Sequence, residues 1–326
     1  MKKTNVLIIN QSEYPLDQIR DIKKKCNLLN LENPSQNDLL NFIKRKKLYT
    51  VKVILTNLGV SINAKIINLL PNLKYVITPT TGVNHIDINF LKKKKIKLFL
   101  LKNKKKLSKV TSTAEHAWSL ILGISRNLVS YHVDSMIKGR WNRNLHIKDN
   151  FQLSGKVLGI LGYGRLGKMI NRYAKSFGMK VLVFDKNLKK KLTNFCNLEK
   201  IFRKSDIVSI NLSYDKSTHN LITNKIVKNA KAKQILINTS RGEIIHESVL
   251  GLYLNPNKGR YLGLDVLKDD FKWSRKIPTS ELKFLKKYKK RILLTPHVGG
   301  VSIDAKDITR KMTLDSLKKI LNFKNL

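Results

Sequence analysis

The stretch "KVLGILGYGRLGKMINRYAKSFG" (residues 156–178) constrains this chain more than any other. Gly162, Gly164 and Gly167 stand in GxGxxG spacing directly after an apolar run, and Met169, Ile170, Tyr173, Ala174 and Phe177 follow at helical intervals. Strand, glycine turn and amphipathic helix in that order predict a βαβ unit. The first glycine permits the turn, the second lets backbone approach a pyrophosphate, and the third lets helix and strand pack closely. Tyr163, Arg165 and Leu166 complete this cradle, because the first N–H groups of a helix have no partner within it and face an anion favourably. The next apolar run, "KVLVFD", ends at Asp185, where a carboxylate holding the adenosine ribose hydroxyls should fall.

The glycine unit sits in a longer alternation. "KVLGIL" (156–161), "KVLVFD" (180–185), "DIVSINL" (206–212), "QILIN" (234–238), "YLGLD" (261–265) and "RILLT" (291–295) recur at helical intervals, which predicts a complete doubly wound sheet. An earlier set, "VLIIN" (6–10), "VKVILTN" (51–57), "LKYVITP" (73–79) and "IKLFLL" (96–101), predicts another parallel sheet buried on both faces. A polar helical stretch separates the first two of these runs. Between the sets, "STAEHAWSLILGISRNLVSYHV" reads as one long apolar helix, opened by Ser112 and Glu115 at capping-box spacing. A last helix, about Ser302 to Phe323, lies beyond the second sheet and can fold back over the first domain.

Composition excludes more than it selects. No segment approaches the roughly 20 apolar residues that span a bilayer, and "MKKTNVLIIN" lacks the apolar length and cleavage site of a signal peptide, so a soluble cytoplasmic protein is expected. Cys26 and Cys196 lie far apart without a CxxC or CxxH neighbour, which argues against a disulfide framework and against a metal site. The net charge of +43 points by itself towards nucleic acid or an anionic membrane, yet the lysines run from end to end and only seven alanines occur. That pattern reads as the imprint of an AT-rich coding sequence on permissive surfaces, and no membrane or specific nucleic-acid partner is expected.

Two strand ends carry the chemistry. Arg241 follows "QILIN" and His297 follows "RILLTP", which puts both at the carboxyl edge of the sheet that bears the glycine turn. Doubly wound sheets bind ligands at that edge. A guanidinium there can grip a carboxylate through two parallel hydrogen bonds. His297 alone of the seven histidines follows a proline at a strand end and precedes two glycines, so its ring has little local cover.

Together, "TTGVNHIDI", "STAEHAWSLILGISRN", "LSGKVLGILGYGRLGK", "NTSRGEIIHE", "GLDVL" and "TPHVGG" resemble the D-isomer-specific 2-hydroxyacid dehydrogenases, a family that includes D-3-phosphoglycerate dehydrogenase and glyoxylate or hydroxypyruvate reductases. The resemblance runs through nearly the whole chain. It implies an α/β fold of two doubly wound parallel-sheet domains: an NAD-binding Rossmann domain, residues 104–299, inserted in a flavodoxin-like substrate domain, residues 1–103 and 300–326. By that resemblance Arg241 grips the substrate's carboxylate and carbonyl oxygen, and His297 exchanges the proton of the 2-hydroxyl while hydride passes to or from the nicotinamide of NAD. Thr81, Gly82 and Val83 offer backbone N–H groups to the carboxylate. Thr239 lies on the cofactor side, and Asp265 in "GLDVL" approaches the nicotinamide carboxamide. The substrate is then a small D-2-hydroxy or 2-keto acid, with 3-phosphoglycerate among the candidates.

The chain departs from the family pattern where a glutamate followed by proline usually pairs with the histidine. Asp270 holds that position here, without proline, and either it or Asp269 is the partner expected for His297. "INLSYDKSTHNLI" also lacks a proline common on the adenine side. Trp141 in "IKGRWNRN" resembles an aromatic that packs at the family's two-fold interface, which implies a homodimer. Asp185 favours NAD over NADP, although Lys186, Lys189 and Lys190 follow it. The alternative function is an NADH-responsive binding module of corepressor type, against which the retention of Arg241 and His297 argues.

Overall fold

Short apolar runs with few polar breaks become fully buried parallel strands when helices can cover both faces of the sheet. The computed structural model describes residues 3–188, 193–273 and 276–322, and these form two compact units. The described residues within 1–110, 271–276 and 302–326 make the first, and those within 111–270 and 277–301 make the second.

The first unit holds a five-stranded parallel sheet of β1 (Thr4–Ile9), β2 (Cys26–Leu31), β3 (Val51–Leu55), β4 (Tyr75–Ile77) and β5 (Lys97–Phe99), in the order β2-β1-β3-β4-β5. This is flavodoxin-like order, with its reversal between β1 and β3. Strand β2 falls in the stretch that reads as polar helix. Its sequence, CNLLNL, buries only Cys26 completely, and as an edge strand it needs no continuous apolar face, so it leaves little trace in the pattern. The C-terminal helix Ile303–Ile320 sets Leu314 and Leu317 among Val6, Ile8 and Val53 of this sheet. Phe323, where the sequence pattern ends that helix, lies outside the described residues.

The second unit holds β6 (Val157–Leu161), β7 (Lys180–Phe184), β8 (Ile207–Ile210), β9 (Ile235–Asn238), β10 (Tyr261–Leu264) and β11 (Ile292–Leu294), all parallel, in the order β11-β10-β9-β8-β6-β7. Phe195 adds a single parallel bridge to Val183 on the outer edge of β7, where a dinucleotide-binding sheet has its third strand. The order reverses between β6 and β8, and the glycine turn leaves the sheet there.

The long apolar segment before β6 departs from its sequence pattern in two ways. Its helix runs Ser112–Ser125 with Thr111 as N-cap and no side-chain cap, and Ser112 Oγ is buried without a hydrogen-bond partner, so no capping box forms. Asn127, at φ 49, then breaks the helix before a short one at Leu128–His132. The first piece buries Ala114, Ala117, Trp118 and Ile121 in the core of the second unit, where Trp118 meets Tyr173 and Phe177 edge-on at 5.8 and 5.1 Å. Each large apolar side chain so buried contributes about 1.5–3 kcal/mol.

The boundary between units falls after Val110, later than the expected residue 103. Leu107, in the short helix Lys104–Leu107, clusters with Leu101 and Met312, which ties that helix to the first unit.

Candidate active site

The glycine turn is built as its spacing requires. Gly162 has φ +92, and a Cβ on it would lie 2.7 Å from the carbonyl oxygen of Asn211 at the end of β8. A Cβ on Gly167 would sit 2.0 Å from the oxygen of Gly162, so turn and helix must approach through glycine. Gly164 differs: a Cβ there meets nothing within 4 Å, which leaves room for a ligand against its backbone. Gly164 is also the N-cap of the helix Arg165–Ser176 and supplies no side-chain acceptor, so the helix N-terminus stays available to an anion. Leu166 packs on the core, and burial draws Arg165 below its ordinary pKa, which favours a nearby negative charge.

Asp185 ends β7 and braces this turn. Its Oδ2 accepts from Tyr163 N–H at 2.7 Å and its Oδ1 from Asn187 N–H at 2.8 Å. Each oxygen keeps a second lone pair for a ribose hydroxyl. Lys186 donates to the Ser217 carbonyl, and Lys189 and Lys190 lie outside the described residues.

At the end of β9 the backbone is tied into a hairpin-like corner. Asn238 Oδ1 accepts from Ser240 N–H at 3.0 Å, Asn238 Nδ2 donates to the Arg241 carbonyl at 2.9 Å, and Ser240 Oγ donates to Ile210 O at 2.8 Å. Thr239 is buried in this corner. Arg241 Nη1 donates to Ser240 O at 2.7 Å. Burial lowers the Arg241 pKa, while Asp270 and Glu243 pull it upwards, so the guanidinium sits in a partly desolvated place with carboxylates close by. Such a cation gains from an anionic ligand more than a solvated one does.

Gly242 brings the next loop in. A Cβ there would lie 2.1 Å from the carbonyl carbon of Leu267, so any side chain would push away the segment that carries Asp269 and Asp270. Asp269 takes φ +60, and its N–H donates to buried Glu243 at 3.3 Å. That left-handed turn, continued by a 3-10 turn from Asp270, delivers the Asp270 Oδ2 to within 3.0 Å of His297 Nδ1. Asp270, and not Asp269, is the carboxylate on the histidine.

His297 itself has φ +56 and is held by its backbone, its N–H donating to Asp265 O at 2.8 Å. Asp265 shapes the whole loop. Its Oδ1 accepts from Thr295 Oγ1 at 2.6 Å and from Val298 N–H at 2.9 Å, its Oδ2 from Gly299 N–H at 2.8 Å, and His116 Nε2 stands 3.3 Å from Oδ1. Burial opposes ionisation of Asp265, but the hydrogen bonds from His116, Thr295, Gly299 and Val298 win and lower its pKa. With its side chain 1% exposed, the Asp265 carboxylate braces its own loop. Sequence reading missed this bracing, and also Glu243; the clues were Thr295 two residues before His297 and Glu243 beside the obligatory glycine.

Thr81, Gly82 and Val83 belong to the first unit, in the turn after β4. Thr80 Oγ1 donates to Gly82 O at 2.7 Å and fixes the turn, and among the described residues no acceptor takes the N–H groups of Thr81, Gly82 or Val83. No group of His, Cys, Asp and Glu suited to a metal ion occurs among the described residues, and no helix among them is long and apolar enough to cross a membrane.

Comparison with known proteins identifies relatives of this arrangement. Residues 118–299 match the family model described as D-isomer specific 2-hydroxyacid dehydrogenase, NAD binding domain. The hydroxypyruvate reductase of Thermotoga maritima is 28% identical over 278 residues, 85% of this chain and 85% of that protein. The D-lactate dehydrogenase of Aquifex aeolicus, solved with NAD and lactic acid, has a TM-score of 0.83 at 25% identity, over 97% of this chain and 95% of that one. A glyoxylate reductase from Paecilomyes thermophila has a TM-score of 0.81 at 22% identity, over 99% and 96% of the two chains.

Proposed function

This chain belongs to the D-isomer-specific 2-hydroxyacid dehydrogenases, and from that premise we propose that it reduces a small 2-keto acid, or oxidises the matching D-2-hydroxy acid, with Arg241, His297 and Asp270 as its working residues. NAD is the cofactor; bound at the glycine turn, it supplies or accepts the hydride. Gly162, Gly164, Gly167, Tyr163, Arg165, Leu166 and Asp185 hold its phosphates and adenosine ribose, with Thr239 beside them in the β9 corner.

The observation that carries the reading is the chain of groups at one sheet edge: Asp270 on His297, with Arg241 drawn by the same carboxylate. With Nδ1–H directed at Asp270, Nε2 is left to accept the proton of a 2-hydroxyl or, protonated, to return it to a forming alkoxide. Asp270 fixes the ring's tautomer and offsets the charge of the imidazolium. Arg241 orients the substrate through its carboxylate and polarises the carbonyl, so that little freedom is left to lose at the transition state. In the first unit, the unbonded N–H groups of Thr81, Gly82 and Val83 suit a carboxylate. The Asp265 hydrogen bonds keep the His297 loop from relaxing, and that rigidity holds the base in reach.

NADH oxidation by the purified protein against glyoxylate, hydroxypyruvate and pyruvate tests this directly. Turnover of at least one supports it. Tight NADH binding with no turnover on any 2-keto acid would instead favour the binding-module alternative.

We also propose a homodimer. Trp141 is 94% exposed, and Met136 and Ile137 nearby are 72% and 73% exposed, an apolar group that a free surface seldom presents. Free, buried Cys26 and Cys196 support a cytoplasmic location.

A further inference from the structure

The helix Ser112–Ser125 of the second unit packs on its sheet through one face, at the spacing of successive helical turns. A Cβ on Gly263 in β10 would lie 3.1 Å from Ile124 and 3.3 Å from Leu120, and one on Gly123 would lie 3.0 Å from Leu293 in β11. His116 and Thr113 continue that face past the strand ends. A Cβ on Gly299 would come within 3.4 Å of the His116 ring and 3.6 Å of the Thr113 methyl, so the helix lies directly against the loop that carries His297.

The hydrogen bonds there fix where one proton sits. Thr295 has a single hydroxyl hydrogen, and it goes to Asp265 Oδ1 at 2.6 Å, since an ionised carboxylate can only accept. In the 2.8 Å contact between Thr295 Oγ1 and His116 Nε2 the hydroxyl is therefore the acceptor, and Nε2 carries the hydrogen. Asp265 Oδ1, 3.3 Å from the same nitrogen, shares it. Burial opposes ionisation of Asp265, and the bond from His116 leads those that overcome it. Three loop groups depend on this carboxylate, the Thr295 hydroxyl and the N–H groups of Val298 and Gly299, while His297 N–H donates to Asp265 O. His297 stands among them at φ +56, a conformation uncommon outside glycine that persists where the surroundings hold it.

We infer that His116 is a positioning residue for the reaction: its Nε2–H fixes the Thr295 hydroxyl and the Asp265 carboxylate, and through them keeps His297 where it can exchange the substrate's proton. This rests on the function proposed above. His116 acts through Thr295 and Asp265 and not on the reacting atoms. Arg241 follows β9 and the glycine turn follows β6, so a shift of the loop after β11 leaves both in place. Loss of the His116 donor then misplaces the base while the cofactor cradle stays intact. The consequence is a defect in kcat without one in NADH binding.

Two substitutions at one position separate the N–H from the ring. His116→Phe keeps the ring's bulk and removes the donor, whereas His116→Gln presents an N–H at nearly the same reach. With NADH and a 2-keto acid that the wild type reduces, His116→Phe should lose roughly 10- to 100-fold in kcat with KM for NADH near wild type, and His116→Gln should recover kcat to within about threefold. Thr295→Val breaks the same link from its other end, so the losses of Thr295→Val and His116→Phe should overlap in the double variant and not multiply. Circular dichroism checks folding. If folded His116→Phe keeps full kcat and loses only thermal stability, or if His116→Gln is as impaired as His116→Phe, the inference is overturned and the proposed function stands. Should His116→Phe not fold, full kcat in Thr295→Val overturns it equally. Failure of the wild type on every 2-keto acid overturns both.

Discussion

Nδ1 of His297 lies 3.0 Å from Oδ2 of Asp270, although the aspartate is one methylene shorter than the glutamate usual in the family at that position. The backbone makes up the length: Asp269 turns through φ +60 and His297 itself through φ +56, which brings the two loops together. Asp270→Asn should therefore cut kcat by roughly 10²-fold or more, within the range of general acid–base effects, with NADH affinity unchanged. His297→Asn should cost at least as much. Asp269→Asn, which tolerates the left-handed turn, should stay within a few-fold of wild type. Equal losses in Asp269→Asn and Asp270→Asn would show that the turn, and not the pairing, matters.

Arg241→Lys should lose most of kcat/KM on every 2-keto acid. Lysine presents a point charge without the guanidinium fork, and at this partly desolvated place it also forfeits the bond to Ser240 O. Steady-state kinetics with near-wild-type values would take Arg241 out of the substrate's reach.

We propose that Asp185 sets the cofactor preference. A carboxylate anchored by Tyr163 and Asn187 N–H groups repels a 2′-phosphate from a fixed position, whereas exposed Lys186 acts through screened solvent. The wild type should favour NADH over NADPH at least tenfold in kcat/KM, and Asp185→Ser should shrink or reverse that ratio. The comparison fails if the wild type uses both cofactors equally.

Asp265 links loop geometry to acid stability. Its carboxyl pKa is lowered in the folded protein, against the effect of burial, by donors from His116, Thr295, Gly299 and Val298. Its contribution is thus fully present above the unfolded-state value near 3.8 and is lost as pH falls through the lower folded value. Asp265→Asn turns one acceptor into a donor facing N–H groups, and should cost about 1–3 kcal/mol at neutral pH. Chemical denaturation of both proteins should show a difference that is flat from neutral pH down to the mild-acid range and shrinks only below the unfolded value. A difference that grows with acidity would contradict the assignment.

Light scattering decides the assembly. A wild-type dimer at micromolar concentration that Trp141→Arg converts to monomer is the expected result, since a large exposed aromatic anchors an interface best. A monomeric wild type ends the proposal.

Much of this molecule is local in origin and could be read along the chain. The strands β6 to β11, the glycine turn and the placement of Arg241 and His297 at strand ends follow from hydrophobic runs and turn chemistry, because a buried parallel strand and a Gly-dependent turn leave few alternatives to their sequences. Strand β2 stayed hidden, since an edge strand with two asparagines buries too little to declare itself. The choice between Asp269 and Asp270 was not in the sequence either. It depends on a left-handed turn that Gly242 permits by giving way to the Leu267 backbone, and on Glu243 holding the Asp269 N–H. Likewise, the sequence shows Asp265 in a recognisable motif, but only the folded chain shows its oxygens taken by Thr295, Val298 and Gly299. Periodicity reports which face of a segment is buried; which side chain meets which across distant loops is set by close packing between them, and that is a property of the tertiary structure alone.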